Sequence, residues 1–443
     1  MKKRLFSSID DVATTTKNSP PTKKLSATPV SIAVPIPFDI WTLIASYSDI
    51  PTFNSIYRLN HENHESRIWN TIMEDRQFVF PKQLKCKALS HYDFRYVTRL
   101  DATSSRITDA ELKKMSHVRE INFRLCRIIT DKGLGYLKSI RKINLANCIG
   151  LQSTFNYPNF PGITDDGLRY ISPTVRSVDL SAWSNVTPDG LKYLENVQEL
   201  NLNGSNINGL GYVHLKSIQI LSMEFCSAFV TSDDIIAMME MKNKAVLEEG
   251  KPKLTELNMA FNSMCVSDEV IQHLGDVEVL SLRSCAHFTG CWFSQLKNIK
   301  ALDLSECISL TDQALCELSH MPHLKKLYLS GCPKITVSGI ARFFQHRNHL
   351  SELCIGENNI DLTEEGDELL ECFKGKTVDI LTISDYISCT MKGLKCLEQS
   401  NINSMLNTSF ETGTETHISV TIHGHWIIPA YRRYLNEDKS IIK

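Results

Sequence analysis

The sequence predicts an α/β solenoid, with a concave parallel sheet on one side and helices on the other. Three observations predict this fold class. A short apolar pattern recurs about a dozen times in the 443 residues, most copies start 21 to 28 residues apart, and many copies continue with a helix-start signal. A repeat period in the twenties, with one strand and one helical segment per unit, is typical of solenoid proteins.

One copy, LKKLYLSGCPKIT from Leu324 to Thr336, shows how a unit is built. Leu327 and Leu329 are two residues apart and therefore point to the same face of a short strand. A turn follows at the cysteine, and the final threonine lies where this residue type caps a helix. The same capping position is predicted for Thr130 and Thr311.

Paired leucines after the turn predict the helix stripe that faces the core. These pairs are Leu134 with Leu137, Leu191 with Leu194, and Leu315 with Leu318. No unit buries both its strand face and its helix stripe alone, so neighbouring units must stack. The pattern is that of the leucine-rich repeat, and it predicts a leucine-rich-repeat horseshoe over residues 90–400. Copies start at Val97, Val118, Ile140, Val175, Val197, Ile218, Leu254, Val277, Ile299, Leu324, Leu350 and Val378.

Two intervals between copies are longer, near 35 residues, and predict insertions at residues 149–162 and 239–253. Insertions in solenoids become loops that often bind partners. The first insertion is aromatic, with Phe155, Tyr157 and Phe160, and is the better binding candidate. The second is charged and predicts an extended, solvated helix.

A cysteine stands eight residues after the start of six copies, at what we call the cysteine position. A metal ligand, half of a disulfide, a nucleophile and a packing group are the alternatives. Asn262 and Asn358 occupy the same position in two other units, an exchange that ligands and nucleophiles do not tolerate. We therefore predict small buried groups that line the turn. These structural cysteines are Cys126, Cys148, Cys226, Cys285, Cys307 and Cys332.

Charge and motifs exclude several function classes. Lys plus Arg (48) and Asp plus Glu (50) nearly cancel, so no overall field points to nucleic acid or an anionic membrane. No apolar run approaches the roughly 20 residues that span a bilayer, and no signal-peptide core follows the basic start. We expect a cytoplasmic or nuclear protein whose cysteines are mostly free thiols. Lys2-Lys3-Arg4 and Lys23-Lys24 are either a nuclear-import signal or solvated charge.

Sequence signatures of catalysis and metal binding are missing. The chain has no CxxC, no glycine-rich phosphate loop, no Gly-x-Ser-x-Gly and no His-Glu-x-x-His. Its histidine pairs have no nearby cysteine or carboxylate that would complete a ligand set. The sequence therefore predicts a non-enzyme with no catalytic residue, no metal and no cofactor.

Composition divides the segment before the repeats in two. Residues 1–32 are rich in Ser, Thr, Lys and Pro and predict a disordered tail. Residues 33–80 predict three short helices, the first starting at Pro37. Three such helices form a meagre core, so they need either the first repeat or a partner to pack against.

These helices carry a family resemblance. Ile36 to Trp41, followed by Ile44, Tyr47 and Asp49 and closed by Ile68-Trp69, resembles an F-box. Because an array of cysteine-containing leucine-rich repeats follows, the whole chain resembles an F-box/leucine-rich-repeat protein. The resemblance implies a substrate-recognition subunit of a cullin–RING ubiquitin ligase, in which the F-box binds a Skp-type adaptor linked to a cullin.

The resemblance also implies the residues that contact the adaptor. They are Pro37, Ile40, Trp41, Ile44, Tyr47 and Ile56. The alternative reading is a helical cap on the first repeat, which would leave a non-degradative scaffold that binds a partner through its repeats.

Outward-facing strand positions and the turns after them are where a protein target would bind. Aromatic and arginine side chains are the usual hot-spot types. Our candidates are Arg124, Trp183, Phe225, Phe261, Arg283 and Tyr328, and for each one packing within the rim is the alternative. Residues 401–443 predict a C-terminal cap, with a last strand at 417–423.

Overall fold

The structure is a computed structural model. It describes residues 77–79, 97–148, 162–182, 185–226, 228–356, 358, 365–383, 386–389, 391–406 and 409–412. The predicted tail, most of the F-box-like segment, the aromatic insertion at 149–161 and the strand predicted at 417–423 lie outside these residues.

A single parallel sheet of 14 strands forms the framework, and its strands follow one another in chain order. Its strands are β1 (Gln77–Val79), β2 (Arg99–Asp101), β3 (Glu120–Asn122), β4 (Lys142–Asn144), β5 (Ser177–Asp179), β6 (Glu199–Asn201), β7 (Ile220–Ser222), β8 (Glu256–Asn258), β9 (Val279–Ser281), β10 (Ala301–Asp303), β11 (Lys326–Tyr328), β12 (His349–Ile355), β13 (Thr377–Ile383) and β15 (Asn401–Leu406). A separate two-stranded parallel sheet pairs β14 (Tyr386–Cys389) with β16 (Ser409–Thr412).

Strands β2 to β13 correspond to the twelve predicted copies, so the solenoid prediction is confirmed. The sheet also contains β1 and β15, which the repeat pattern did not predict. Strand β15 begins at Asn401, inside the segment predicted as the C-terminal cap. Its sequence, NINSML, follows the apolar pattern poorly because polar residues interrupt it.

Helical segments connect the strands. The α-helices are α1 (Asp109–Leu112), α2 (Asp131–Leu134), α3 (Asp165–Ile171), α4 (Ser232–Glu249), α5 (Asp268–Gln272), α6 (Asp312–Ser319), α7 (Val337–Gln345), α8 (Gly366–Glu371) and α9 (Met391–Glu398). In three units a 3-10 helix takes this place, at Pro188–Leu194, Gly209–His214 and Phe293–Gln295. Among the described residues, no helix is long and apolar enough to cross a membrane.

The core lies between the sheet and these helices. The leucine pairs predicted to form the helix stripe are all at most 1% exposed. The inward strand residues Leu327 and Leu329 are buried equally well. Because each unit covers its neighbour's apolar surface, stability is shared along the array.

Helix starts in neighbouring repeats are joined by a bond between a carboxylate and a threonine. The Asp312 carboxylate of α6 accepts from the backbone N–H of Thr336 at 2.9 Å and from its hydroxyl at 2.7 Å. The Thr336 hydroxyl in turn accepts from the N–H of Gly339 at 3.2 Å. The same carboxylate–threonine contact joins Asp109 to Thr130, Asp131 to Thr164, Asp165 to Thr187, and Asp268 to Thr289.

This contact changes the role predicted for two threonines. Thr130 and Thr311 lie at the N-cap position, but neither side chain caps its own helix. The Thr130 hydroxyl instead donates to Asp109 of the preceding repeat at 2.6 Å. The cap prediction was wrong for these two side chains, whereas the Thr336 hydroxyl both donates to the preceding repeat and accepts from an N–H of its own helix.

The charged insertion at 239–253 forms the second half of α4, as predicted, and the helix ends at Gly250 in the left-handed conformation. One of its lysines is not solvated, however. Lys242 is 1% exposed, and its ammonium donates to the backbone oxygen of Lys216 at 2.7 Å. Burial, with the charge of Lys251 nearby, lowers the pKa of Lys242 to about 8.

We expect Lys242→Met to raise the free energy of unfolding by about 1–2 kcal/mol at pH 7, because the folded wild type carries a buried charge without a counter-ion. The pKa of Lys242 is lower in the folded state, so between about pH 8 and pH 10 the unfolded chain binds more protons and wild-type stability rises. The difference between the two proteins should therefore shrink toward pH 10. Urea unfolding at both pH values measures this.

Lys244→Met on the exposed side of the same helix is the matched control and should leave stability within about 0.5 kcal/mol of wild type. If Lys242→Met were less stable at pH 7, the bond to the Lys216 oxygen would outweigh the cost of burying the charge.

Candidate binding surface on the strand face

Outward side chains of the strands form what we call the strand face. At the fifth position of most repeats an Asp or Asn accepts a hydrogen bond from the backbone N–H two residues later, at 2.9 to 3.0 Å. These acceptors are Asp101, Asn122, Asn144, Asp179, Asn201, Asn258 and Asp303. They hold the turn at the strand end, which leaves the third and seventh positions to vary.

The residue before each cysteine position lies at what we call the turn position, and in the ten repeats where the structure describes it the backbone is left-handed. Eight non-glycine residues have φ between 56° and 63° there, and Gly204 and Gly331 occupy the same position in two other repeats. The non-glycine residues are Ser104, Leu125, Asn147, Ala182, Phe225, Phe261, Ser284 and Glu306. In these ten repeats the backbone N–H of the turn position donates to a carbonyl of the next repeat, at 2.7 to 3.3 Å. The backbone is thus fixed by the array, while the side chain projects from the edge of the strand face.

Three candidate residues meet at this edge. The rings of Phe225 and Phe261 stack with centroids 4.2 Å apart and planes 9° from parallel. The Arg283 guanidinium lies 5.7 Å from the centroid of the Phe261 ring, which is within the range of a cation–π contact. Glu306 accepts from Arg283 Nε at 3.1 Å, and this bond raises the pKa of the arginine. We call the row formed by Phe225, Phe261, Arg283 and Glu306 the edge stack.

Tyr328 lies elsewhere on the strand face and is half-buried. Burial and a hydrogen bond with Glu352 both raise its pKa well above the ordinary value. The same Glu352 forms an ion pair with Lys326 at 3.0 Å. Tyr328 is therefore held in place by its neighbours, and only part of its ring is open to a partner.

The remaining two candidates are not part of this arrangement. Arg124 is exposed at the seventh position of its repeat, four strands away from Phe225. Trp183 lies outside the described residues. Sequence reasoning missed Glu306 and Met264, the second of which is 74% exposed beside the edge stack's repeats.

A shallow groove of about 520 Å³ runs along the strand face from β2 to β7. Its lining combines apolar strand residues with polar side chains of both charges, with Arg99 paired to Glu120 at 3.1 Å and Asn144 donating to Asp179 at 2.9 Å. An open groove of this kind suits contact with a protein surface rather than the enclosure of a small ligand.

The six cysteines at the cysteine position share one geometry. All are buried, and each thiol donates to a backbone oxygen of the preceding repeat at 2.9 to 3.3 Å. Burial raises the pKa of Cys148 to about 12 and that of Cys285 and Cys332 to about 11. The thiols are therefore protonated at neutral pH, the state that donates hydrogen bonds rather than reacts.

Asn262 makes the thiol's bond to the preceding repeat and adds a second bond, whereas Asn358 makes only the second and its amide nitrogen is buried without a partner among the described residues. The Asn262 amide donates to the backbone oxygen of Met223 at 2.5 Å and accepts from the N–H of Cys226 at 2.7 Å. Asn358 accepts from the N–H of Cys332 at 2.7 Å. Both residue types therefore bridge neighbouring turns. In the part of the chain that the structure describes, no group of three or more His, Cys, Asp or Glu side chains is placed to hold a metal ion.

The six residues that the resemblance assigns to adaptor binding, from Pro37 to Ile56, lie outside the described residues.

Strand order, repeat geometry and the thiol bonds together define a leucine-rich-repeat solenoid. Two segments, residues 114–138 and 320–343, match the family model described as Leucine Rich repeat. The chain thus contains leucine-rich repeats, in the fold that protein-binding members of this class share. The curated proteins include no match.

Solved structures with a similar backbone include three complexes. The mouse RP105/MD-1 complex has 15% identity and a TM-score of 0.47, with 77% of this chain and 58% of that chain covered. The TLR13–ssRNA13 complex has 16% identity and a TM-score of 0.45, with 72% and 53% covered. The Rad7–Elc1 complex of yeast has 14% identity and a TM-score of 0.42, with 83% and 95% covered. This chain therefore spans less than two thirds of the first two, and at these identities the likeness concerns the fold alone.

Proposed function

We propose that this protein is the substrate-recognition subunit of an SCF-type cullin–RING ubiquitin ligase. One observation carries the proposal: the F-box-like sequence from Ile36 to Trp69 directly precedes an array of cysteine-containing leucine-rich repeats. In this role the N-terminal helices bind a Skp-type adaptor, and the adaptor binds a cullin. The strand face holds a protein target.

Catalysis in such a complex is by proximity. The chain carries the target into reach of a ubiquitin-charged enzyme, so the rate gain comes from a raised effective concentration. This needs no nucleophile or metal on the chain, and the strand face offers paired charges and aromatic rings for the contact with a target.

The target-binding residues of the proposal are those of the strand face and its edge. They are Arg124, Phe225, Phe261, Arg283 and Tyr328, together with Trp183 outside the described residues. The edge stack is the strongest part of this set because two rings and an arginine converge there, as in the centres of protein interfaces.

Adaptor capture tests the proposal. Purified full-length protein should retain a Skp-type adaptor with its cullin, and the double variant Pro37→Ala/Ile40→Asp should lose at least about tenfold in affinity, because a carboxylate replaces an apolar contact. Size-exclusion chromatography and titration calorimetry measure this.

Ile308→Asp is the matched control, since it makes the same change at an isoleucine of the array that is 55% exposed. It should bind the adaptor as wild type does. Failure of the wild type to bind any Skp-type adaptor would contradict the ligase role and leave a non-degradative scaffold that binds its partner through the repeats.

A further inference from the structure

The edge stack stops abruptly on one side. Phe225 and Phe261 occupy the turn positions of two adjacent repeats, but the next turn position toward the N-terminus is Gly204. A Cβ built on Gly204 meets no heavy atom within 4 Å. The outer face of the Phe225 ring, which is 59% exposed as a residue, therefore borders a space where the row of side chains would continue. We call this space the notch.

The size of the notch follows from the repeat. Adjacent strands lie about 4.8 Å apart, and the Phe225 and Phe261 centroids are 4.2 Å apart. One repeat step therefore accommodates one planar group stacked on the next. The step next to Phe225, at Gly204, therefore suits one flat side chain from another molecule stacked on the Phe225 ring.

Charge around the notch favours a cation. The third, fifth, seventh and turn positions from β6 to β12 carry six carboxylates and two cations among the described residues. The carboxylates are Glu199, Glu224, Glu256, Asp303, Glu306 and Glu352, and the cations are Arg283 and Lys326. The same positions from β2 to β5 carry three carboxylates and three cations. Those carboxylates are Asp101, Glu120 and Asp179, and those cations are Arg99, Arg124 and Lys142.

Both cations near the edge stack already have partners. Arg283 is paired with Glu306, and Lys326 with Glu352 at 3.0 Å. Within the described ranges no Lys, Arg or His nitrogen lies within 4.0 Å of the carboxylates of Glu224, Glu256 or Asp303. Glu224, which directly precedes Phe225 in the chain, accepts a hydrogen bond from the Asn258 amide of the next repeat at 2.6 Å, so its negative charge belongs to the strand face beside the edge stack.

We propose that the notch binds an arginine side chain in an extended, basic segment of the target protein. A guanidinium is planar and stacks on an aromatic face, and its positive charge complements the excess of carboxylates from β6 to β12. A lysine side chain would provide the positive charge but no planar group to stack on Phe225. An aromatic ring would stack on Phe225 but would carry no charge. The inference rests on the proposed role of the array as the target-binding part of the chain.

Apolar residues beside that arginine would find contacts as well. Phe229 and Met264 are 43% and 74% exposed on the turns of the same two repeats as Phe225 and Phe261. The target segment is therefore expected to combine arginine with neighbouring apolar side chains, and to carry no acidic residue next to the arginine.

A displayed library of random 12-residue peptides, selected on the full-length protein, tests the inference. We expect the selected peptides to be enriched in arginine over lysine. In the most enriched peptide, replacing the key arginine by lysine should weaken binding about tenfold, since the stacking contact is lost while the charge stays. Replacing it by glutamine should weaken binding further.

Gly204→Phe is the decisive variant. Phe225 and Phe261 show that phenylalanine fits the left-handed turn position, so the new ring should fill the notch and reduce arginine-peptide binding at least about tenfold. Ser104→Phe adds the same ring at a turn position four strands from the notch and should bind the peptide as wild type does. Phe225→Ala removes the stacking face without filling the notch and should weaken the same peptide.

Several outcomes would overturn the inference: no preference for arginine among the selected peptides, unchanged binding by both Gly204→Phe and Phe225→Ala, or an equal loss in Ser104→Phe. Adaptor capture by the same variants separates the two proposals. Peptide binding without adaptor capture would contradict the ligase role alone, and adaptor capture without arginine selectivity would contradict the notch alone.

Discussion

Cys307→Asp is expected to lower the free energy of unfolding by about 3–5 kcal/mol at pH 7. Cys307 is fully buried, and its thiol donates to the backbone oxygen of Leu282 at 3.2 Å. An ionised carboxylate only accepts hydrogen bonds, so it would face that oxygen with a buried charge and no donor. Thermal and urea unfolding of the purified variant measure the loss.

The pH dependence of this loss identifies its cause. Burial would raise the pKa of the new carboxyl in the folded state, as it already raises the pKa of the Cys307 thiol. The folded variant would then bind more protons than the unfolded chain, and the loss of stability should shrink as pH falls from 7 toward 5. Cys307→Ser keeps a donor and should cost only about 1 kcal/mol. Unfolding of the aspartate variant at the wild-type temperature would contradict burial of the cysteine position.

Gly339→Ala is expected to destabilise the protein by about 2–4 kcal/mol, although alanine normally favours a helix over glycine. A Cβ at Gly339 would lie 2.1 Å from the carboxylate of Asp312. That carboxylate accepts both hydrogen bonds from Thr336, so moving it breaks the contact between α6 and α7. Urea unfolding of the single variant measures the effect.

A double-mutant cycle with Asp312→Ala separates the collision from helix propensity. Without the carboxylate, Gly339→Ala should be neutral or stabilise the protein by up to about 1 kcal/mol. Ser338→Ala, an exposed change on the same helix, should alter stability little. Additive losses in the double variant would mean that Gly339 and Asp312 do not interact.

Repeat spacing was sufficient to predict the fold. The apolar pairs and the twelve starts located β2 to β13. A two-residue apolar period within a copy and a repeat period in the twenties are compatible with few other folds. The structural role of the cysteine position could also be predicted, because asparagine replaces cysteine there. Strands β1 and β15 were missed because their sequences follow the pattern too weakly.

The left-handed turn position could not be predicted from residue type. Gly204, Gly331 and Asn147 carry the usual signal for a positive φ, whereas Leu125, Phe225 and Phe261 normally avoid it. Hydrogen bonds to the next repeat impose this conformation, and those bonds exist only after the units stack. The bond from Thr130 to Asp109 escaped prediction for the same reason.

Sequence reasoning selected Phe225, Phe261 and Arg283 individually but neither brought them together nor selected Glu306. Phe225 and Phe261 are far apart in the chain because α4 lies between them, yet their strands β7 and β8 are adjacent. Composition predicted that Lys242 is solvated, because a lysine in a charged segment is normally exposed, but the residue is buried. Both cases depend on tertiary neighbours that no local pattern encodes.

The chain-order pairing of the strands has a mechanical consequence. Each strand from β2 to β12 bonds only to the strands before and after it, so a force along the array would act on every interface and separate the weakest one first. The repeats would then peel off in sequence, each releasing its own length of chain, while those beyond the break keep their hydrogen bonds. Such a molecule would unfold stepwise under tension, repeat by repeat, and a bound target would hold together only the repeats that it spans.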